Sequence, residues 1–442
     1  MRPVGGSICL ALGVLGLGCA SELAEGKAAP GAACDADGGC ASETCDAGRC
    51  ALPVAGDAEL ETGGTASCPA TMEGAARAGE PAGRGDAASG QCFVDLEAGV
   101  FWTSALRVDG TVWGWGSQVT NWGAVPGQWT NFGANVAEVA LGYQHGCVRM
   151  GDRTLSCFGR NDFGQVGDGT VGPDVFLAPI AALGANVAEV AAATTHTCAR
   201  KDDGTLWCWG ANDFGEIGDG STVSPRPSPV QVTALGTTVV QVDVRGQNTC
   251  ARKDDGTVWC WGYNRGGEVG DGTTVSPRPS PVQVTALGTA AVEVATGVLS
   301  SCARKNDGTL WCWGANSAGE LGDGSSSSRP SPVQVTALGA CVVQVEVGGA
   351  HACARKDDGT LWCWGWNRFG QVGDGTTEDR HTPVQVSALG ASIVEVAVGS
   401  SYTCARKNDG TLWCWGRNDT GQLGDLGHQD RRSPVRVALE CP

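Results

Sequence analysis

One segment of this chain, TCARKDDGTLWCWG at 197–210, recurs nearly unchanged at 249–262, 301–314, 352–365 and 403–416. Two degenerate copies precede it, TSALRVDGTVWGWG at 103–116 and GCVRMGDRTLSCFG at 146–159. The closing glycines, at 116, 159, 210, 262, 314, 365 and 416, lie 43, 51, 52, 52, 51 and 51 residues apart, which defines seven units. Each unit reads as four short strands: a Val-rich run (Val239-Val240-Gln241-Val242), the Cys strand, the Trp strand and, after a Gly-rich loop, a Pro-Val-x-Val strand. A fixed period of this length means a repeat architecture. Four evenly spaced strands per unit specify an all-β, seven-bladed β-propeller. A solenoid is the alternative, and it would want polar caps at both ends.

Composition agrees. Glycine supplies 69 of 442 residues, which disfavours long helices and suits strands joined by tight turns. With 30 basic against 47 acidic residues the net charge is −17, the wrong sign for a nucleic-acid partner. The 22 cysteines point to an oxidising compartment.

The amino terminus fits export. Residues 1–19 carry one charge, Arg2, and an apolar stretch from Ile8 to Leu17, the make-up of a signal peptide. The stretch ends in Gly16-Leu17-Gly18-Cys19, which resembles a bacterial lipobox with Gly16 where Leu or Val is usual. The resemblance implies a lipid anchor on Cys19, facing the cell surface or outer membrane; cleavage and secretion is the alternative. Residues 20–33 and 51–91 are linkers rich in Ala, Gly and acidic residues, with too little apolar content to build a core. Between them, 34–50 forms a small module with Cys34, Cys40, Cys45 and Cys50, where two disulfides are expected in any of three connectivities. The propeller occupies 92–442.

The hairpin can be read residue by residue. In Lys201-Asp202-Asp203-Gly204-Thr205, a three-residue loop places Gly204 in the left-handed position. Cys198 then faces Cys208, Ala199 faces Trp207, and Thr197 faces Trp209. Facing residues of an antiparallel pair lie within disulfide range. The pairs Cys147–Cys157, Cys198–Cys208, Cys250–Cys260, Cys302–Cys312, Cys353–Cys363 and Cys404–Cys414 are therefore expected to be bonded. The first unit has Ser104 and Gly114 at these places, a loss in tandem that suits bonded partners. In the repeat frame Cys92 and Cys441 fall about two positions apart, so a bridge Cys92–Cys441 is expected to close the ring. The partners of Cys68 and Cys341 stay open.

Two residues before each hairpin cysteine position stand Trp102, His145, His196, Asn248, Ser300, His351 and Tyr402. This position varies while its neighbours do not. One reading is a recognition ring; the other is packing or hydrogen bonding beside the channel. The least repeat-like loop, 117–131, adds Trp122 and Trp129 as partner-binding candidates, because aromatic anchors are typical of hot spots. HExxH, GxSxG and phosphate-loop motifs are missing from the sequence, and the repeated Asp219, Asp271, Asp323 and Asp374 read as turn formers. No catalytic residue, metal site or cofactor is expected.

The units resemble the regulator-of-chromosome-condensation repeat family, a seven-bladed propeller. The resemblance rests on the Thr-Cys-Ala strand, the DGT-L/V-W-x-WG strand, the N-x-x-G-Q/E-x-GDG loop and the Pro-Val-x-Val strand, and covers about 92–441. Known members include an exchange factor for a nuclear GTPase, an ultraviolet receptor and a secreted β-lactamase-inhibitory protein. Taken with the amino terminus, the expectation is a non-catalytic propeller, a monomer, that binds a protein partner at the cell envelope. An exchange-factor-like role toward a small GTPase and a sialidase-like carbohydrate-active propeller are the alternatives.

Overall fold

The structure is a computed structural model, and it describes residues 92–116 and 123–440, together with the backbone of Cys45–Asp46 and Arg49–Cys50. The chain divides into two compact units, Met1–Thr65 and Ala66–Pro442. In the first, Cys45–Asp46 and Arg49–Cys50 pair antiparallel, Cys45 opposite Cys50. Cys19, the remainder of the small module, Trp122 and Cys441 lie outside the described residues. Among the described residues no helix is long and apolar enough to cross a membrane.

The second unit is a seven-bladed propeller. Its blades span 93–128, 136–179, 187–231, 239–283, 291–334, 342–385 and 393–436, each an antiparallel sheet of four strands in chain order. Among the described residues no strand is shared between the first and last blades. The first strands touch from blade to blade around the axis, and that of blade 7 (Ile393–Val398) touches that of blade 1 (Phe93–Ala98). The ring is closed.

Why these residues make blades is visible in the hairpin. Gly204 has φ 75°, and a Cβ there would sit 2.1 Å from the Thr237 carbonyl, so only glycine fits. Asp203 Oδ1 accepts from the Thr205 amide at 3.0 Å and hydroxyl at 2.6 Å, which fixes the turn. With the turn set, Cys198 lies opposite Cys208 and Ala199 opposite Trp207. All six hairpin cysteine pairs are disulfides with Cα atoms 4.0–4.1 Å apart and sulfurs inside the core. Cys92 and Cys341 are also disulfide-bonded.

The core lies between blades rather than within them. At each junction, residues of the second to fourth strands of one blade interleave with the first and second strands and the inner Trp of the next: Leu206, Ile217, Val232 and Leu235 pack with Val239, Val242, Ala251 and Trp261. The same arrangement joins blade 7 to blade 1, with Leu412, Leu423 and Val437 against Phe93, Leu96 and Trp115. Small Ala or Thr opposite large Trp lets neighbouring sheets come together. Blade 1 departs from the pattern in a compensated way. A Cβ on Gly114 would lie 2.3 Å from Trp129, so the space of the missing disulfide is filled by an indole. Trp129 packs with Trp102, Phe132 and Phe158 at centroid distances of 5.7, 5.7 and 5.9 Å.

Candidate functional site: the loop face and the seams beneath it

The strand order puts two kinds of connection on opposite faces. The Asp-Gly turns and the short 3-10 turns such as Thr233–Leu235 share one face. The first-to-second strand loops and the long Asn-to-GDG loops share the other, called here the loop face.

Beneath the loop face each blade is bonded to the next through the loop backbone. Gln165 O accepts from Thr197 Oγ1 at 2.8 Å and Trp209 Nε1 at 3.0 Å. Glu216 O does the same for Thr249 and Trp261, and Gln371 O for Thr403 and Trp415. At the closing junction Gln422 O accepts from Thr103 at 2.8 Å and Trp115 at 2.9 Å. The loops hold their shape through a buried Asn: Asn212 Oδ1 takes the Ile217 amide at 3.0 Å while its Nδ2 donates to Ser221 O at 3.1 Å. Asp219 in the same loop is ion-paired to Arg226 at 2.7 Å, and Asp271, Asp323 and Asp374 have equivalent arginines.

The variable ring turns out to be part of these seams, which corrects its reading as a recognition surface. Trp102, His145, His196, Asn248, Ser300, His351 and Tyr402 are at most 2% exposed, and Trp129 is 4% exposed. A partner cannot reach them. His145 Nε2 lies 2.9 Å from Thr197 Oγ1, His196 Nε2 3.0 Å from Thr249 Oγ1 and His351 Nε2 2.9 Å from Thr403 Oγ1. Each threonine already donates its one proton to a loop carbonyl. The imidazole must therefore be the donor, which fixes the Nε2–H tautomer. Tyr402 donates to Trp102 O at 2.6 Å and lies 2.9 Å from Thr103 Oγ1, and Trp102 Nε1 donates to Gly142 O at 2.9 Å. Asn248 Nδ2 donates to Tyr263 O.

Burial drives the three imidazoles down to about pH 3, His196 being lowered further by His145 and His351 by Arg245. Their Nδ1 atoms have no partner among the described residues, so a second proton would be a buried, unpaired charge. Folded-state values below the unfolded value near 6.5 mean that the unfolded chain binds more protons as the pH drops. The parent is thus expected to lose thermal stability relative to His145→Asn, His196→Asn and His351→Asn variants as pH falls from 6.5 toward 3. Melting curves across that window check it; Asn already occupies the ring at position 248. Parallel pH profiles would refute it.

Around the axis, the first strands carry a second set of seams. Glu138, Glu189, Glu293 and Glu395 pair with Arg149, Arg200, Arg304 and Arg406 at 2.6–2.9 Å. The other oxygen of Glu138, Glu293 and Glu395 takes the amide of Val190, Val345 and Leu96 in the following blade. Where the acid is Gln, as at 241 and 344, its amide pairs with both backbone groups of the next blade. Blade 1 has Leu106 in place of the arginine, and its Asp95 is held well above the carboxylate range by burial and by Glu395, Glu97 and Glu138. Toward the loop face the channel is obstructed. Arg245 stands where the other blades have Gly99, Gly142, Ala193, Gly297, Gly348 and Gly399, and its guanidinium crosses the axis to Val398 O at 2.8 Å and Ala98 O at 3.4 Å.

The loop face itself carries the accessible variation. Trp366 and Phe369 meet edge to face at 5.4 Å, Arg417 lies over Phe369 at 5.3 Å and over Phe101 at 5.6 Å, and Phe101 packs on Tyr143 at 5.4 Å. This is one continuous run across blades 6, 7, 1 and 2, every member partly exposed. Sequence reasoning missed it. The available signal was the residue after each closing glycine, which changes from Arg160 to Ala211, Tyr263, Ala315, Trp366 and Arg417 while the WxWG before it stays nearly constant. No group of side chains that could hold a metal ion occurs among the described residues.

A ring of sequence-contiguous four-stranded blades, with buried Trp seams and a variable loop face, defines a class of repeat propeller. The RCC1-like domain model matches residues 124–441, and the chain belongs to that family. It is 31% identical over 305 residues to the ultraviolet-B receptor UVR8 of Arabidopsis thaliana, covering 68% of this chain and 69% of that one. It is 29% identical over 342 residues to the E3 ubiquitin-protein ligase HERC2 of Homo sapiens, covering 73% of this chain but only 7% of that protein. The fold matches yeast RCC1 (Prp20) bound to Kap60 with a TM-score of 0.63 and 20% identity, over 72% of this chain and 79% of that one.

Proposed function

We propose that this protein is a non-catalytic propeller that holds a protein partner on its loop face, displayed at the cell envelope by a lipid on Cys19. The observation that carries the reading is the Trp366–Phe369–Arg417–Phe101–Tyr143 run. It gathers partly exposed aromatics and an arginine, the residue types that dominate binding energy, on a rigid seven-bladed support. Yeast RCC1 with Kap60 bound is a related fold engaged with a protein. The setting of Cys19 and the cysteine content favour export over an exchange-factor role inside the cell.

The test is a pull-down from the producing cell with the propeller, followed by affinity measurement on the captured partner. Trp366→Ala and Arg417→Ala are expected to weaken binding by about tenfold or more, with an unchanged thermal midpoint. Equal binding by the parent and both variants would refute the loop-face assignment. Cys19→Ser is expected to release the protein from the membrane fraction, and unchanged partitioning would refute the anchor.

A further inference from the structure

Three loop positions act together in blades 2 and 7. An arginine follows the closing glycine, an aspartate stands two residues on, and a glutamine three residues after that: Arg160, Asp162 and Gln165 in one, Arg417, Asp419 and Gln422 in the other. In both blades the arginine is ion-paired to the aspartate. In blade 7 the glutamine joins them. Its Oε1 takes the Thr420 amide at 3.0 Å and its Nε2 donates to Asp419 Oδ1 at 3.4 Å. Gln422 is 0% exposed while the Asp419 side chain is 49% exposed, so a carboxylate at the surface reaches the buried amide.

Blade 6 keeps the glutamine and loses the acid. Trp366 and Arg368 replace the Arg–Asp pair, and Gln371 remains. Gln371 Oε1 takes the Phe369 amide at 3.0 Å, which leaves Nε2 oriented like its counterpart in Gln422. That Nε2 is buried without a partner among the described residues, an unsatisfied donor that destabilises the fold. Blades 3, 4 and 5 avoid it, because there Glu216, Glu268 and Glu320 make the same loop bond and carry no amide. Around Gln371 the free charge is positive. Arg368 and Arg432 are exposed and enter no ion pair among the described residues. Arg432 lies against Gly370, where a Cβ would sit 2.4 Å from its Cα, and Arg417 lies over Phe369 at 5.3 Å. The acids of these two loops are all engaged: Asp374 and Glu378 with Arg380, Asp425 with Arg431, Asp419 with Arg417, and Asp379 and Asp430 with the amides of Asn367 and Asn418.

We infer that the loop of blade 6 is a seat for a carboxylate of the protein partner, an aspartate or glutamate side chain on an acidic segment, which accepts from Gln371 Nε2 with Arg368 and Arg432 at its rim. The partner's carboxylate would take the place that Asp419 fills from within the chain in blade 7. The inference rests on the reading of the loop face as the binding surface. Charge and shape select the occupant. A buried amide donor and two free guanidinium groups call for an anion, and arginine clusters are a common means of reading acidic segments. Trp366 and Phe369, in the same loop and partly exposed, offer an apolar platform that a peptide segment uses and a small free anion does not.

The test uses the full chain and a short fluorescein-labelled peptide of alternating glutamate and leucine with blocked ends, followed by anisotropy. The peptide is expected to bind saturably, and its glutamine-for-glutamate counterpart about tenfold or more weakly. Gln371→Glu and Arg368→Asp import residues that sister blades carry at these places. Both are expected to keep the parent's thermal midpoint and to weaken binding of the acidic peptide about tenfold or more. Failure to saturate, equal binding of the glutamine peptide, equal binding by both variants, or displacement by equimolar acetate would each overturn the inference. The captured partner separates this inference from the loop-face reading. Loss of its binding in Trp366→Ala but not in Gln371→Glu or Arg368→Asp would overturn the seat and leave the loop face standing, and no loss in any of the three would overturn both.

Discussion

Protein refolded with all six hairpin disulfides held reduced is expected to melt far below the oxidised form, or not to regain the propeller at all. A bridge across ten residues stabilises by about 2–3 kcal/mol on the chain-entropy model. The six loops lie in different blades and do not overlap, so their effects should add. The total, on the order of 15 kcal/mol, matches the upper end of the net stability of ordinary domains. The sulfurs are buried, so reductant added to the native protein should act only as fast as blades open. Melting of refolded reduced and oxidised samples, in parallel with the rate of native-state thiol release, gives the answer. Midpoints within a few degrees of each other would show that the cysteines merely fill space.

The junction of blades 7 and 1 is the second place where a large effect is expected. Among the described residues no strand crosses it, so side-chain and backbone contacts carry closure there. Tyr402 is fully buried there and bonds to Trp102 O and Thr103, beside Thr103 and Trp115 on Gln422 O and the Leu96 amide on Glu395. Removing the ring in Tyr402→Ala should cost about 3–5 kcal/mol, as for other large-to-small core changes. Tyr402→Phe should cost about 1–2 kcal/mol, because it removes a buried donor and leaves the Trp102 carbonyl short of a partner. Denaturant titration with an unchanged slope would confirm that both variants alter stability rather than the folded state. A loss below about 1 kcal/mol in Tyr402→Ala would mean that closure resides elsewhere.

The fold was legible because its information is repeated. A period of 51–52 residues, an Asp-Gly turn that admits only glycine, and cysteines ten apart set strand order and register without any long-range knowledge. The site was less legible for a physical reason. Variation at Trp102, His145, His196, Asn248, Ser300, His351 and Tyr402 fitted either a recognition ring or packing beside the channel. Yet a buried seam can vary freely when each residue has to match only its neighbour in the next blade. Conversely, Trp366, Phe369 and Arg417 stand in loops whose side chains become one patch only when blade 7 is set beside blades 1 and 6. Arg245 was invisible for the same reason, since its partners Val398 and Ala98 are brought to it by closure.

The matched residues of the ring amount to an address system. Blades 3, 4 and 5 share the string SPVQVTALG and nearly identical hairpins, so on packing alone any of them could dock on another's neighbour. The seams break that degeneracy: His145, His196 and His351 face Thr197, Thr249 and Thr403, Tyr402 faces Thr103, and the positions equivalent to those threonines elsewhere are Gly146, Ser301 and Ala352. A blade that docks out of turn places a histidine against alanine, or an indole against threonine, and strands a buried donor or a clash. A chain built from near-copies can thereby restrict its own blade order while it folds, at the cost of ring positions that, the three His–Thr seams apart, cannot be exchanged for one another.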